Sequence, residues 1–198
     1  MIFGERFYPM LGKLSPWRQS LFALSLAQRQ LPNFLLWCEL REQKGTAGIF
    51  LKALNELWQF HEDKFNHIDL EELVGSVEPF IPEGDPEELS VGDLFGLDAL
   101  ITFSAACDAV ILHEGNEAEI ASRTSLGGVV RSVEEKNGPL DDEALRENPL
   151  VDAEVNFQVE LLELLSHAKR SAELTENLKV IAGNGGVSNI GISYDSDR

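Results

Sequence analysis

The stripe Ile49, Phe50, Ala53, Leu54, Leu57, Trp58 constrains this chain more than any other feature. Its positions fall at i, i+1, i+4, i+5, i+8 and i+9, one broad face of an α-helix and no face of a strand. So much bulk on one side of a helix must be covered by other elements. The flanking sequence offers further helices to do so. Ser15-Pro16 reads as a cap followed by a proline in the first turn, where no amide donor is needed. Trp17, Leu21, Leu24 and Leu31 then mark one face, and Pro32 is expected to interrupt it. A short helix carrying Phe34, Leu35 and Cys38 should follow, with Gly45 separating it from the main stripe.

Asp69 with Glu72 has the form of a capping box ahead of Leu70, Leu73, Val74 and Val77. Pro79, Pro82, Gly84 and Pro86 break regular structure and make the longest loop. Ser90 is placed to cap a helix through Leu94, Leu97, Ile101, Ala105 and Val110, apolar nearly all round and therefore central. Asn116 with Glu119 marks another start, ending near Asn137-Gly138-Pro139, and Asp141 to Arg146 reads as a short helical turn. After Asn148-Pro149 the signals conflict. Val151, Ala153, Val155, Phe157, Val159 and Leu161 alternate with polar residues as a strand would. Val151, Val155, Val159 and Leu162 also line one helical face, and a lone strand has no ladder for its backbone groups. The reading is a helix that runs on past Ala168 and Ala172 to the stop at Gly183-Asn184-Gly185-Gly186. The expectation is therefore an all-α, single-domain bundle of about eight helices, in orthogonal or up-down packing, over 1–186. Residues 187–198 are expected as a partly docked tail. Phe50, Leu54, Trp58, Leu97, Ile101, Leu161 and Leu165 should form the core.

Charge is divided unevenly. Residues 1–60 hold seven Lys/Arg against four Asp/Glu; residues 61–98 hold twelve acids against one base, Lys64; residues 99–198 hold eighteen acids against eight bases. The net charge of −18 repels polyanions, so nucleic acid is not an expected partner. With 43% hydrophobic residues and 198 residues in all, the chain can bury a substantial core. The longest apolar tract, Ala99 to Leu112, is interrupted by Asp108 and short for a bilayer, and no signal peptide is evident at the start. A cytoplasmic setting is the expectation, and Cys38 and Cys107 read as buried thiols without a disulfide.

No catalytic constellation stands out. The four histidines, His61, His67, His113 and His167, lack the spacing of an HExxH or di-iron site, so neither a metal nor a cofactor is expected. The glycines at 183–186 follow a helix and carry no Walker lysine. Two carboxylates, Asp98 and Asp108, interrupt an otherwise apolar helix ten residues apart, and buried carboxylates are candidates for acid/base chemistry. The plainer reading, and the favoured one, is that one of them caps a neighbouring element or simply faces solvent.

Four local motifs resemble the YjaG-like group of bacterial proteins, a domain-of-unknown-function family. They are Arg29-Gln30-Leu31-Pro32-Asn33-Phe34 with Trp37-Cys38, Asp93-Leu94-Phe95-Gly96, Asp142 to Pro149, and Ser188-Asn189-Ile190-Gly191-Ile192. The resemblance implies a small all-α cytoplasmic protein of bacterial type and supplies no reaction. The expected function is a non-enzymatic module that binds a protein partner or itself, through the acidic face at Glu83, Asp85, Glu87 and Glu88. The alternative is an enzyme or small-molecule binder with an acidic interhelical pocket around Asp98 or Asp108.

Overall fold

Leu21, Phe22, Ala23, Leu24, Leu26 and Ala27 are all fully buried, so that stretch of the helix has no free face. That helix, α2 (Pro16–Leu40), is the axis of the molecule. The computed structural model describes residues 2–63, 67–85 and 87–194; Lys64 and Pro86 lie outside them. Among the described residues there are nine α-helices and no strand. A short α1 (Phe7–Leu11) leads into α2. There follow α3 (Lys44–Glu62), α4 (Leu70–Val77) with a 3-10 turn at Glu78–Phe80, and α5 (Val91–Ile111). The chain continues through α6 (Glu117–Asn137), α7 (Asp142–Glu147), α8 (Pro149–His167) and α9 (Ala172–Gly183). Helices α3, α5, α6, α8 and α9 surround α2, while α4 bridges α3 and α5. Helix α5 is long and apolar enough to cross a membrane by length and composition, but more than half of its apolar stretch is buried in the bundle.

Local capping fixes most of the starts. The Asp69 carboxylate accepts the Glu72 amide, the Ser90 hydroxyl accepts that of Asp93, and the Asn148 side chain accepts that of Leu150. Val151 to Leu161 is helical, with Val151 and Leu161 buried. Phe50, Leu54, Trp58, Leu161 and Leu165 sit in the core as expected.

Three expectations are corrected. Pro32 does not break the helix: α2 runs through it. A proline costs a helix one hydrogen bond, and the burial of Pro32, Asn33 and Phe34 outweighs that local penalty. The last helix is two, because the chain turns at 168–171 without glycine or proline. Tertiary contacts set that turn: Arg18 donates to the Ala168 carbonyl at 2.8 Å, Arg170 donates to the Phe60 carbonyl at 3.1 Å, and Ser171 caps α9 by accepting the Leu174 amide. Finally, Leu97 and Ile101 are only partly buried. The covered face of α5 is Gly96, Ala99, Leu100, Phe103, Ala106 and Cys107, which lets α5 approach α2 closely over small residues.

Candidate functional site

The motifs separated in sequence meet in space. Trp37 on α2 donates its indole N–H to Asp93 at 2.9 Å, and the Arg41 guanidinium pairs with the same carboxylate. Burial pushes the Asp93 carboxyl up, but the Ser90 and Trp37 hydrogen bonds and Arg41 outweigh it, and the group is held below the usual range. One turn on, Gly96 lies flat against the Trp37 ring.

At the middle of α2, Arg29 reaches Glu154 of α8 at 3.3 Å and stacks over Phe157. Glu154, wholly buried, also accepts from Ser125 at 2.6 Å and Gln158 at 2.8 Å. Asn189 of the tail closes the network. Its amide nitrogen donates to Ser125 Oγ, its oxygen accepts from Asn33, and its backbone N–H reaches the Arg29 carbonyl. The segment around it is a tight loop, bridged antiparallel between Val187 and Ser193. Ser188 Oγ accepts the amides of Ile190 and Ile192, and Gly191 takes φ +81°, a conformation open to glycine. Ile190 is buried and Ile192 partly so. This network is a clasp: among the described residues, Asn33 Oδ1 is its one buried side-chain atom without a hydrogen-bond partner. The sequence carried Arg29, Asn33 and Asn189 in separate motifs and Glu154 in none, and no spacing linked positions 29, 154 and 189.

The two candidate pocket carboxylates part company. Asp98 is 7% exposed and receives Arg131 Nη1 of α6 at 2.7 Å. Burial pushes its carboxyl up and Arg131 opposes that. A Cβ at Gly128 would lie 2.8 Å from its Oδ2, so the site is closed. Asp108, about 15 Å further along the helix by its rise per residue, is half-buried beside a cavity of about 250 Å³. Its walls include Ile81, Ile101, Leu112 and Ile120, and its other acids are Glu114 and Glu117. Burial, then Glu117, then Glu114, all push the Asp108 carboxyl up. Glu117 is fixed, because its two oxygens accept the amides of Glu114 and Gly115 ahead of α6. Asn116, the expected cap, makes no such bond. Among the described residues no cation pairs with Asp108, Glu114 or Glu117. The sequence reading singled out neither Glu114 nor Glu117, which flank the start marked there by Asn116 and Glu119.

Glu83, Asp85, Glu87 and Glu88 are all exposed on the loop that leaves the cavity at Ile81 and returns to α5. Asp85 accepts the Glu87 amide, which turns the loop. No ion pair reaches the four among the described residues.

Nucleophiles are poorly placed. Ser20 donates to the Ala106 carbonyl at 2.5 Å and accepts from His61 Nε2 at 2.8 Å, the reverse of a base taking its proton. Both are buried. Burial pushes the Cys38 thiol up to about 12 and raises that of Cys107, so neither is a thiolate near neutral pH.

A family model described as "Protein of unknown function (DUF416)" matches residues 6–193. An uncharacterised protein of Haemophilus influenzae is 29% identical over 187 residues, covering 93% of this chain and 95% of that protein. The uncharacterised protein YjaG of Escherichia coli is 27% identical over 187 residues, covering 93% of this chain and 94% of its own. The crystal structure of a DUF416 family protein from Shewanella baltica superposes with a TM-score of 0.83 at 30% identity, covering 95% of this chain and 98% of that one.

Proposed function

The chain belongs to the DUF416 family, whose description names no reaction, and we propose that it is a non-enzymatic protein-binding module that receives a basic partner on its acidic side. The observation that carries this reading is the fate of the charges. Of the basic residues in the first sixty, Arg18, Arg29, Arg41 and Lys52 are engaged within the molecule, by the Ala168 carbonyl, Glu154, Asp93 and Glu56. Among the described residues, Glu83, Asp85, Glu87 and Glu88 have no such counterpart. A partner carrying Lys or Arg would neutralise them, and contact through an exposed face is screened as salt rises.

The test uses the full chain as immobilised bait beside a variant with Glu83→Lys, Asp85→Lys, Glu87→Lys and Glu88→Lys. The reading expects a protein retained by the first bait at low salt, lost at high salt and absent from the second. Identical retention on both baits overturns it.

A second reading rests on Asp108. A half-buried carboxylate at a solvent-facing cavity suits a small cation or amine. A thermal-shift screen over metals and metabolites separates the two, since a ligand for the folded state raises Tm by mass action. A shift abolished by Asp108→Asn supports this second reading.

A further inference from the structure

The cavity beside Asp108 has apolar walls as well as acids. Ile81, Leu112 and Ile120 are 45%, 56% and 42% exposed, and all three line it. Single exposed aliphatic side chains are ordinary on a protein surface, but three around one depression form a patch. Its volume of about 250 Å³ falls below the usual range for small-molecule sites and suits one or two protein side chains. The occupant it fits is an apolar side chain flanked by cations.

The chain carries such an element. On α1, Met10 is 41% exposed and is flanked by Arg6 and Lys13, which are exposed and have no ion pair among the described residues. The placement of α1 matters too. A Cβ at Gly12 would lie 3.6 Å from the Gly115 carbonyl oxygen, so the end of α1 abuts the loop that bears Leu112 and Glu114. Residues 112–116 thus join the end of α1 to one wall of the cavity. An isologous two-fold contact would bring each head to the other copy's cavity.

We propose that a second copy of this chain is the occupant: Met10 of each copy seats among Ile81, Leu112 and Ile120 of the other, with Arg6 and Lys13 facing Glu114 and Asp108. This rests on the protein-binding reading and names its partner and contact. The contact is small and charged, so the dimer is weak and salt-sensitive. The methionine side chain is unbranched and adapts to an irregular apolar cavity.

Light scattering on the full chain, over a concentration series at low and high salt, tests it. The expected mass rises toward that of two chains with concentration at low salt and falls back at high salt. Met10→Asp, the pair Arg6→Glu with Lys13→Glu, and Glu114→Lys should each weaken association at least about tenfold. Far-UV circular dichroism and an unchanged Tm show that each variant folds. The decisive arm mixes the head-reversed chain with the Glu114→Lys chain. One contact then pairs reversed head with reversed cavity and the other pairs the two native surfaces, so a heterodimer should form although neither variant self-associates. A monomer at every concentration and salt overturns the proposal, as does a dimer that persists in the variants or tightens in salt. If the chain is monomeric while the acidic-loop bait still retains a salt-sensitive partner, the dimer falls and the protein-binding reading stands. If both arms are negative, both fall.

Discussion

A methyl group at Gly96 would sit 2.6 Å from Cδ2 of Trp37, inside the contact distance of any real carbon pair. The indole cannot retreat without giving up its hydrogen bond to Asp93. Gly96→Ala should therefore destabilise the protein by about 2 kcal/mol, read as a lower urea midpoint with unchanged slope. His61 acts differently. It is 1% exposed, its Nδ1 has no partner among the described residues, and burial first, then Arg170, lowers its pKa to about 3. In the unfolded chain the same group titrates near its ordinary value of about 6.5. Between those values the unfolded state holds the extra proton, so the stability His61 supplies is complete above about pH 6.5 and is lost as pH falls toward about 3. From about pH 7 to about pH 5, wild type should lose about 2 kcal/mol more than a His61→Gln variant. Equal losses in chemical denaturation at the two pH values would refute the assignment.

Among the elements, the tail behaves as a fastener. Asn189 holds α2 through Arg29 and Asn33 and holds α6 through Ser125, and Ser125 in turn bonds Glu154 of α8. Removing the Asn189 side chain leaves the buried Asn33 amide on α2 without its partner, while Ser125 on α6 keeps Glu154. Asn189→Ala should cost about 1–3 kcal/mol and speed amide exchange selectively at Ser188 and Ile192. Glu154→Ala is more severe. It strands the buried Arg29 guanidinium, at about 3–5 kcal/mol. Against a typical stability of about 5–15 kcal/mol, that variant should be folded only marginally at ambient temperature, which its thermal melt would show.

At the scale of the whole molecule, a net charge of −18 on 198 residues is a self-repulsion that folding compresses. Added sodium chloride screens it, so Tm of the isolated chain should rise as salt increases. Partner contact through the acidic face moves the other way and weakens over the same range. Opposite slopes from one protein in one buffer series separate the two effects. A Tm indifferent to salt would mean that folding does not bring the charges closer than in the unfolded chain.

Helix type and most helix starts were decided locally. The 49–58 stripe, the Asp69, Ser90 and Asn148 caps and the stop at 183–186 act within one or two turns, a range over which residue identity alone fixes geometry. The same holds for the expected burial of Phe50 and Trp58. The continuity of α2 through Pro32 depended on the neighbours that bury Pro32, Asn33 and Phe34. The turn at 168–171 depended on Arg18 and Phe60, more than one hundred positions away in the chain. Leu97 and Ile101 looked as apolar as Leu100 and Phe103, and only the approach of α5 to α2 chose which face was covered. The two candidate carboxylates were alike in sequence, each an aspartate in an apolar helix. Arg131 and Gly128 closed one, and Ile81 with the loop before α6 left the other open. Backbone periodicity is a property of a segment. Which side of a segment is buried, and which charge meets which, depends on contacts between segments far apart in the chain.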